Sequence, residues 1–165
     1  MKGLSIEEIG FSDTPPDLKI STFAVFFKPI LPQLEKIHWL YETQPFSYSP
    51  EPTGELVKAL VEMPDNNGYF APSTLLPKFA AYVCDDWSSL FGFYAMPNAP
   101  LIFAHLNPRN YQFMSRNIDF FFFSIDGAYW NFYTKNETIL KIVAEHAKSL
   151  AGVQFEWVDF ANFTN

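Results

Sequence analysis

The sequence has a single cysteine, Cys84, so it can form no internal disulfide and no zinc site of the paired-cysteine kind. Glycine is scarce too. The seven glycines are scattered and build neither a G-x-G-x-x-G turn nor any other phosphate-cradling loop. A G-x-S-x-G elbow is missing, which removes the strained serine of the α/β-hydrolases, and so is an H-E-x-x-H metal motif. No stretch approaches 18 uninterrupted apolar residues, so no membrane-spanning helix is expected. The opening Met1–Glu8 has early acids and no apolar signal core, which places the chain in the cytoplasm. There is no run of five like charges, no internal repeat and no low-complexity tract. Proline stops at Pro108, so the longest uninterrupted elements belong in the last third of the chain.

Positive charge is also in short supply. Eleven Lys and Arg stand against 18 Asp and Glu, a formal charge of −7. Nonspecific nucleic-acid binding needs cations to displace counterions, so this balance argues against it. An anionic membrane surface is disfavoured for the same reason. Arg109 and Arg116 flank Tyr111 and Phe113, a pattern that can stack on bases, but two arginines do not offset the overall charge. A basic partner would be attracted, although acidity also keeps an aromatic-rich chain in solution.

What the chain has in quantity is aromatic surface: 19% of residues, with 19 phenylalanines among them. With 48% hydrophobic residues over 165 positions, the chain can bury a full core as a single domain spanning residues 1–165. The clearest local signal runs from Ile118 to Thr134. Asp126-Gly127 is a two-residue hairpin turn, which would pair Ile125 with Ala128, Phe123 with Trp130 and Phe121 with Phe132. These six share one face, read as core. Phe120, Phe122, Ser124, Tyr129, Asn131 and Tyr133 share the other, mixed in character.

Thr134-Lys135-Asn136-Glu137 reads as a capping box opening a helix to about Leu150, with Ile139, Leu140, Val143, Ala147 and Leu150 on one stripe and Gly152 as its C-cap. Val153 to Phe160 alternates, with Val153, Phe155 and Trp157 inward and Gln154 and Glu156 outward, as a half-buried final strand does. Upstream, Ser21–Lys28 suits a strand or the start of a helix, and Gln33–Tyr41 has helical spacing at Leu34, Ile37, His38 and Tyr41. Gly54–Met63 reads as a short helix capped by Thr53. Phe79–Cys84 and Leu90–Ala95 read as a hairpin about Asp85–Ser89, and Leu101–Leu106 as a third strand. The fold class is therefore α+β: a mainly antiparallel sheet of about five to six strands, with N-terminal helices and one C-terminal helix packed on it.

No catalytic constellation is visible, so the chain is read as a non-enzyme with no cofactor and no metal. His38, His105 and His146 are far apart in sequence, and Cys84 on a strand is more often a buried small hydrophobe than a nucleophile. The most pointed polar cluster is Asp85-Asp86-Trp87, two carboxylates beside an aromatic of the kind that anchors interfaces. The bland alternative is an Asp-rich turn with Trp87 folded back on the sheet. Asp85, Asp86 and Trp87, with Tyr129, Asn131 and Tyr133 on the mixed ribbon face, are the candidate partner site. They point to a protein-binding domain, an acidic inhibitor or immunity-type protein that neutralises a basic partner such as a toxin. The alternatives are a small-molecule-binding or enzymatic domain with an aromatic-lined pocket, and a structural homodimer through the Phe120–Tyr133 face.

Overall fold

The computed structural model describes residues 1–10, 22–41, 48–49, 69–71, 83–84, 88–98, 101–102, 105, 110–125 and 128–162. The strands are β1 (Lys2–Glu8), β2 (His38–Tyr41), β3 (Tyr48–Ser49), β4 (Tyr69–Ala71), β5 (Val83–Cys84), β6 (Ser88–Phe93), β7 (Phe120–Ile125), β8 (Tyr129–Thr134) and β9 (Val153–Asp159). The helices are α1 (Thr22–Phe26), α2 (Leu31–Leu34), α3 (Tyr111–Asn117) and α4 (Glu137–Ser149). Seven strands form one sheet in the order β4-β2-β6-β7-β8-β1-β9, antiparallel at every pairing, and β3 pairs with β5 separately. This is the α+β architecture that the sequence predicts, with a wider sheet.

The run Phe120-Phe121-Phe122-Phe123 explains why the sheet is covered on both sides. Neighbouring side chains in a strand point to opposite faces, and all four rings are buried, none more than 4% exposed. On one face Phe120 and Phe122 join Leu4, Ile6, Trp39, Leu90, Trp130 and Phe132, under Phe23, Phe26 and Phe27 from the α1 region and Ile139, Leu140, Val143 and Ala147 from α4. On the other, Phe121 and Phe123 join Leu40, Phe91, Phe93 and Tyr133, under Ile102, Met114, Ile118 and Phe160. Cross-strand rings stack at 4.5 Å between Phe122 and Phe132 and at 4.9 Å between Phe91 and Phe121. The buried indole N–H groups are satisfied: Trp130 donates to the Thr22 hydroxyl and Trp39 to the Leu34 carbonyl, each at 2.9 Å. His146 Nε2 lies 2.8 Å from the Val25 carbonyl, tying α4 to α1.

Several local expectations are corrected. The β7–β8 register is shifted by one: Ile125 opposes Tyr129, Phe123 opposes Asn131 and Phe121 opposes Tyr133. Three residues separate the paired ends rather than two, which puts Trp130 and Phe132 on the face of Phe120 and Phe122. The cap of α4 is Asn136, whose Oδ1 accepts from the Thr138 and Ile139 N–H groups, while Thr134 ends β8 and its hydroxyl accepts from Asn136 N–H. Gly152 follows the helix with φ +73°.

Gln33–Tyr41 is not one helix. Only α2 is helical there, without a side-chain cap, and His38–Tyr41 is a strand between β4 and β6, with Trp39 and Leu40 fully buried on opposite faces. Ser21–Lys28 resolves into α1 over its described part. Within Leu101–Leu106, Leu101, Ile102 and His105 are helical, and the Asn98 side chain accepts from Leu101 N–H as a start cap. β5 and β6 do not form a hairpin: β2 and β7 occupy both edges of β6, and β5 pairs with β3 instead. The helix expected over Gly54–Met63 lies outside the described residues.

Two glycines are set by contact. A Cβ at Gly92 would lie 2.9 Å from the Trp39 ring and 3.0 Å from Phe120 Cβ, so the glycine makes room for the indole across the sheet. A Cβ at Gly3 would collide with the Tyr133 ring and the Phe132 carbonyl. Gly3→Ala should therefore lower stability by about 1–3 kcal/mol, read as a lower urea midpoint with an altered near-ultraviolet dichroism signal as Tyr133 shifts. Asn136→Ala should remove the α4 cap at about 1 kcal/mol in the same assay, whereas Thr134→Ala would be the more damaging change if the capping box were real.

Candidate functional site

Cover on the second face is uneven. Among the described residues it is deep over β6 and β7 but thins toward β9, and polar residues of the sheet collect there. The pairings of β1 define three rows across β8, β1 and β9: Tyr133–Gly3–Val158, Asn131–Ser5–Glu156 and Tyr129–Glu7–Gln154. Side chains in a row and in its neighbours two residues away share one face. The rows exist because the N-terminal strand is inserted between β8 and β9, antiparallel to both, while α4 connects those two strands.

Two hollows lie on this face. One, of about 350 Å³, is lined by Ser5, Glu7, Tyr129, Gln154, Phe155 and Glu156. The other, of about 390 Å³, includes Tyr129, Asn131, Tyr133, Glu156 and Asp159 in its lining. Tyr129 and Glu156 line both, so the two hollows adjoin across these residues and together make the groove of this face. The Gln154 amide donates to Glu7 at 2.8 Å and fixes that carboxylate beside Tyr129. Trp157, 57% exposed on the outer strand, shares the row of Leu4 and Phe132 and so belongs to the opposite, helical face.

The candidate residues from the sequence fall out as follows. Tyr129, Asn131 and Tyr133 do lie on one face. Tyr129 is half-buried. Tyr133 is 2% exposed, packed on Phe121 and on Phe160 at 5.0 Å, and its ring forms the floor where the groove meets the core. Burial, then the charges of Tyr129 and Asp159, push its phenol well above the ordinary tyrosine range, so it stays neutral. Asp85, Asp86 and Trp87 lie outside the described residues. Ser5, Glu7, Gln154 and Glu156 join the site without having been singled out as candidates. Gln154 and Glu156 are legible as the outward positions of β9, and Leu4 and Ile6 alternating with Ser5 and Glu7 is a strand signature in β1.

The histidines sit on separate elements: His38 on β2, His105 beside the Phe113 ring, and His146 on α4. Among the described residues no group of three or more His, Cys, Asp or Glu could hold a metal ion, and no helix is long and apolar enough to cross a membrane.

At the groove's end Lys2 donates to Asp159 at 2.8 Å, and Ala161 N–H donates to the other carboxylate oxygen at 3.1 Å. The lysine hydrogen bond first, and the backbone one second, hold the Asp159 carboxyl below its usual range. A lowered folded value means stabilisation that is complete above the ordinary carboxylate value of about 4 and is lost as pH falls through the folded value. Both side chains are well exposed, so the contribution is small. Asp159→Asn should therefore lower the urea midpoint slightly at pH 7 and low salt, with the gap closing near pH 2 and in high salt. A gap that persists at low pH would mean that Asp159 acts through shape and not charge.

The chain matches no protein-family model, no curated protein and no solved structure.

Proposed function

We propose that this protein is a non-enzymatic binding domain that captures a basic protein partner on the open part of its sheet, as an acidic inhibitor of the immunity type does. The observation that carries this reading is the groove across β8, β1 and β9. Its described lining holds the carboxylates of Glu7 and Glu156, with Asp159 at its end paired to Lys2. Tyr129 supplies a polar-tipped aromatic at its centre. Charge of one sign on a fixed strand face, within a chain of −7, steers a positive partner and speeds its encounter, and an aromatic anchor then slows its release. A regular sheet makes a rigid platform, so little ordering is lost on binding.

Affinity capture from source-cell lysate at low and high salt, followed by mass spectrometry, tests the reading. One basic protein should be retained stoichiometrically, weakened by salt and inhibited in its own activity; an acidic partner, or none, would remove the proposal. Against an identified partner, Glu7→Lys with Glu156→Lys should slow association about tenfold at low salt and far less at high salt, as measured by stopped flow.

A further inference from the structure

The middle row of the groove has a feature that a generally acidic face does not require. Asn131 and Ser5 sit side by side on β8 and β1, only 9% and 3% exposed, and both line the hollows. Among the described residues neither side chain makes a hydrogen bond, and their polar atoms open onto the hollows, since the one sealed side-chain atom without a partner there is Ser124 Oγ. Ser5 lines one hollow and Asn131 the adjoining one, so two neighbouring side chains of low exposure turn free hydrogen-bonding groups toward the open face, where a ligand can take them up. Glu156 completes the row on β9 and makes no ion pair among the described residues. In the next row Gln154 holds one oxygen of Glu7, leaving the carboxylate further acceptor capacity.

We infer that this row is the seat of an arginine side chain supplied by the partner protein, an inference that rests on the basic-partner reading above. Adjacent strands lie about 4.8 Å apart, so the Asn131 carbonyl, the Ser5 hydroxyl and the Glu156 carboxylate present acceptors across about 10 Å of one face. A guanidinium carries five N–H donors in a flat fork and is more weakly hydrated than an ammonium. It can take a bidentate pair from Glu156 and still donate to Asn131 and Ser5, with its plane against the Tyr129 ring. A lysine ammonium satisfies the charge but not the spread of acceptors. A phosphate or carboxylate ligand would meet Glu7 and Glu156 as like charges.

The test compares fluorescent hexa-arginine and hexa-lysine peptides by anisotropy against the whole chain, wild type, Glu156→Gln and Asn131→Leu. The arginine peptide should bind wild type several-fold more tightly than the lysine peptide. Both substitutions should erase that preference, with Asn131→Leu changing no charge. Titration with N-acetylarginine methylamide should shift the Asn131 side-chain amide and Tyr129 ring resonances, an observation that holds even if Asn131→Leu does not fold. Equal binding of the two peptides, with both variants unchanged and no Asn131 shift, would overturn the arginine seat while the acidic binder stands. Failure of both peptides to bind would remove both readings.

Discussion

Four phenylalanines in succession, Phe120 to Phe123, leave β7 no solvent face. Alternation sends Phe120 and Phe122 one way and Phe121 and Phe123 the other, so a layer is needed on each side of the sheet. The first is a helical layer, α1 and α4, whose apolar stripes meet the rings of Phe122, Trp130 and Phe132. The second, with Ile102, Met114, Ile118 and Phe160, covers β6 and β7 and reaches Tyr133. It is deepest over the phenylalanines and thins toward the β1–β9 edge. The groove is what remains of a two-sided sheet where its second cover gives way to polar rows.

The insertion of β1 decides what the groove is made of. Had β9 paired directly with β8, Glu156 would have stood next to Asn131, with no Ser5 or Glu7 between them. The antiparallel pairing on both edges of β1 sets Leu4 and Ile6 against the helical layer and Ser5 and Glu7 toward the open face. Gly3 settles the boundary. Without a side chain it lets the Tyr133 ring lie over β1, which closes the core end of the groove and leaves Tyr129 and Asn131 as the tyrosine and amide of the open part.

The sequence was most legible where pattern and cover agree. The hairpin, α4 and β9 follow from alternation and a 3.6-residue stripe, and Tyr129, Asn131 and Tyr133 were grouped on one face correctly because period two does not depend on register. Register itself was lost: Asp126-Gly127 suggests a two-residue turn, but the four-phenylalanine run has no polar positions to anchor one alignment against another. The same cause hid β2. In Ile37-His38-Trp39-Leu40-Tyr41 both Trp39 and Leu40 are buried, and such a run matches helical spacing as well as it matches a strand buried on both faces. Leu101–Ile102 is the converse case, an apolar pair made helical by the Asn98 cap. Ser5 and Glu7 were passed over because a short polar–apolar alternation at the start of a chain carries little weight until a partner strand is known.

Charge and hydrogen bonding act at different distances in such a groove, and the arrangement separates them. Glu156 stands near water, where its field extends about a Debye length, so under the proposed binding it would act on the approach of a partner and lose force in salt. Asn131 and Ser5 lie beneath with low exposure, where a hydrogen bond is less screened than at the rim. A ligand that satisfies only the outer carboxylates gains encounter rate and little residence time. Under the proposed binding, one that also reaches the amide and the hydroxyl would gain residence from those added hydrogen bonds. Under the proposed binding, discrimination among positive partners would therefore be set by the neutral residues of the groove and not by its acids.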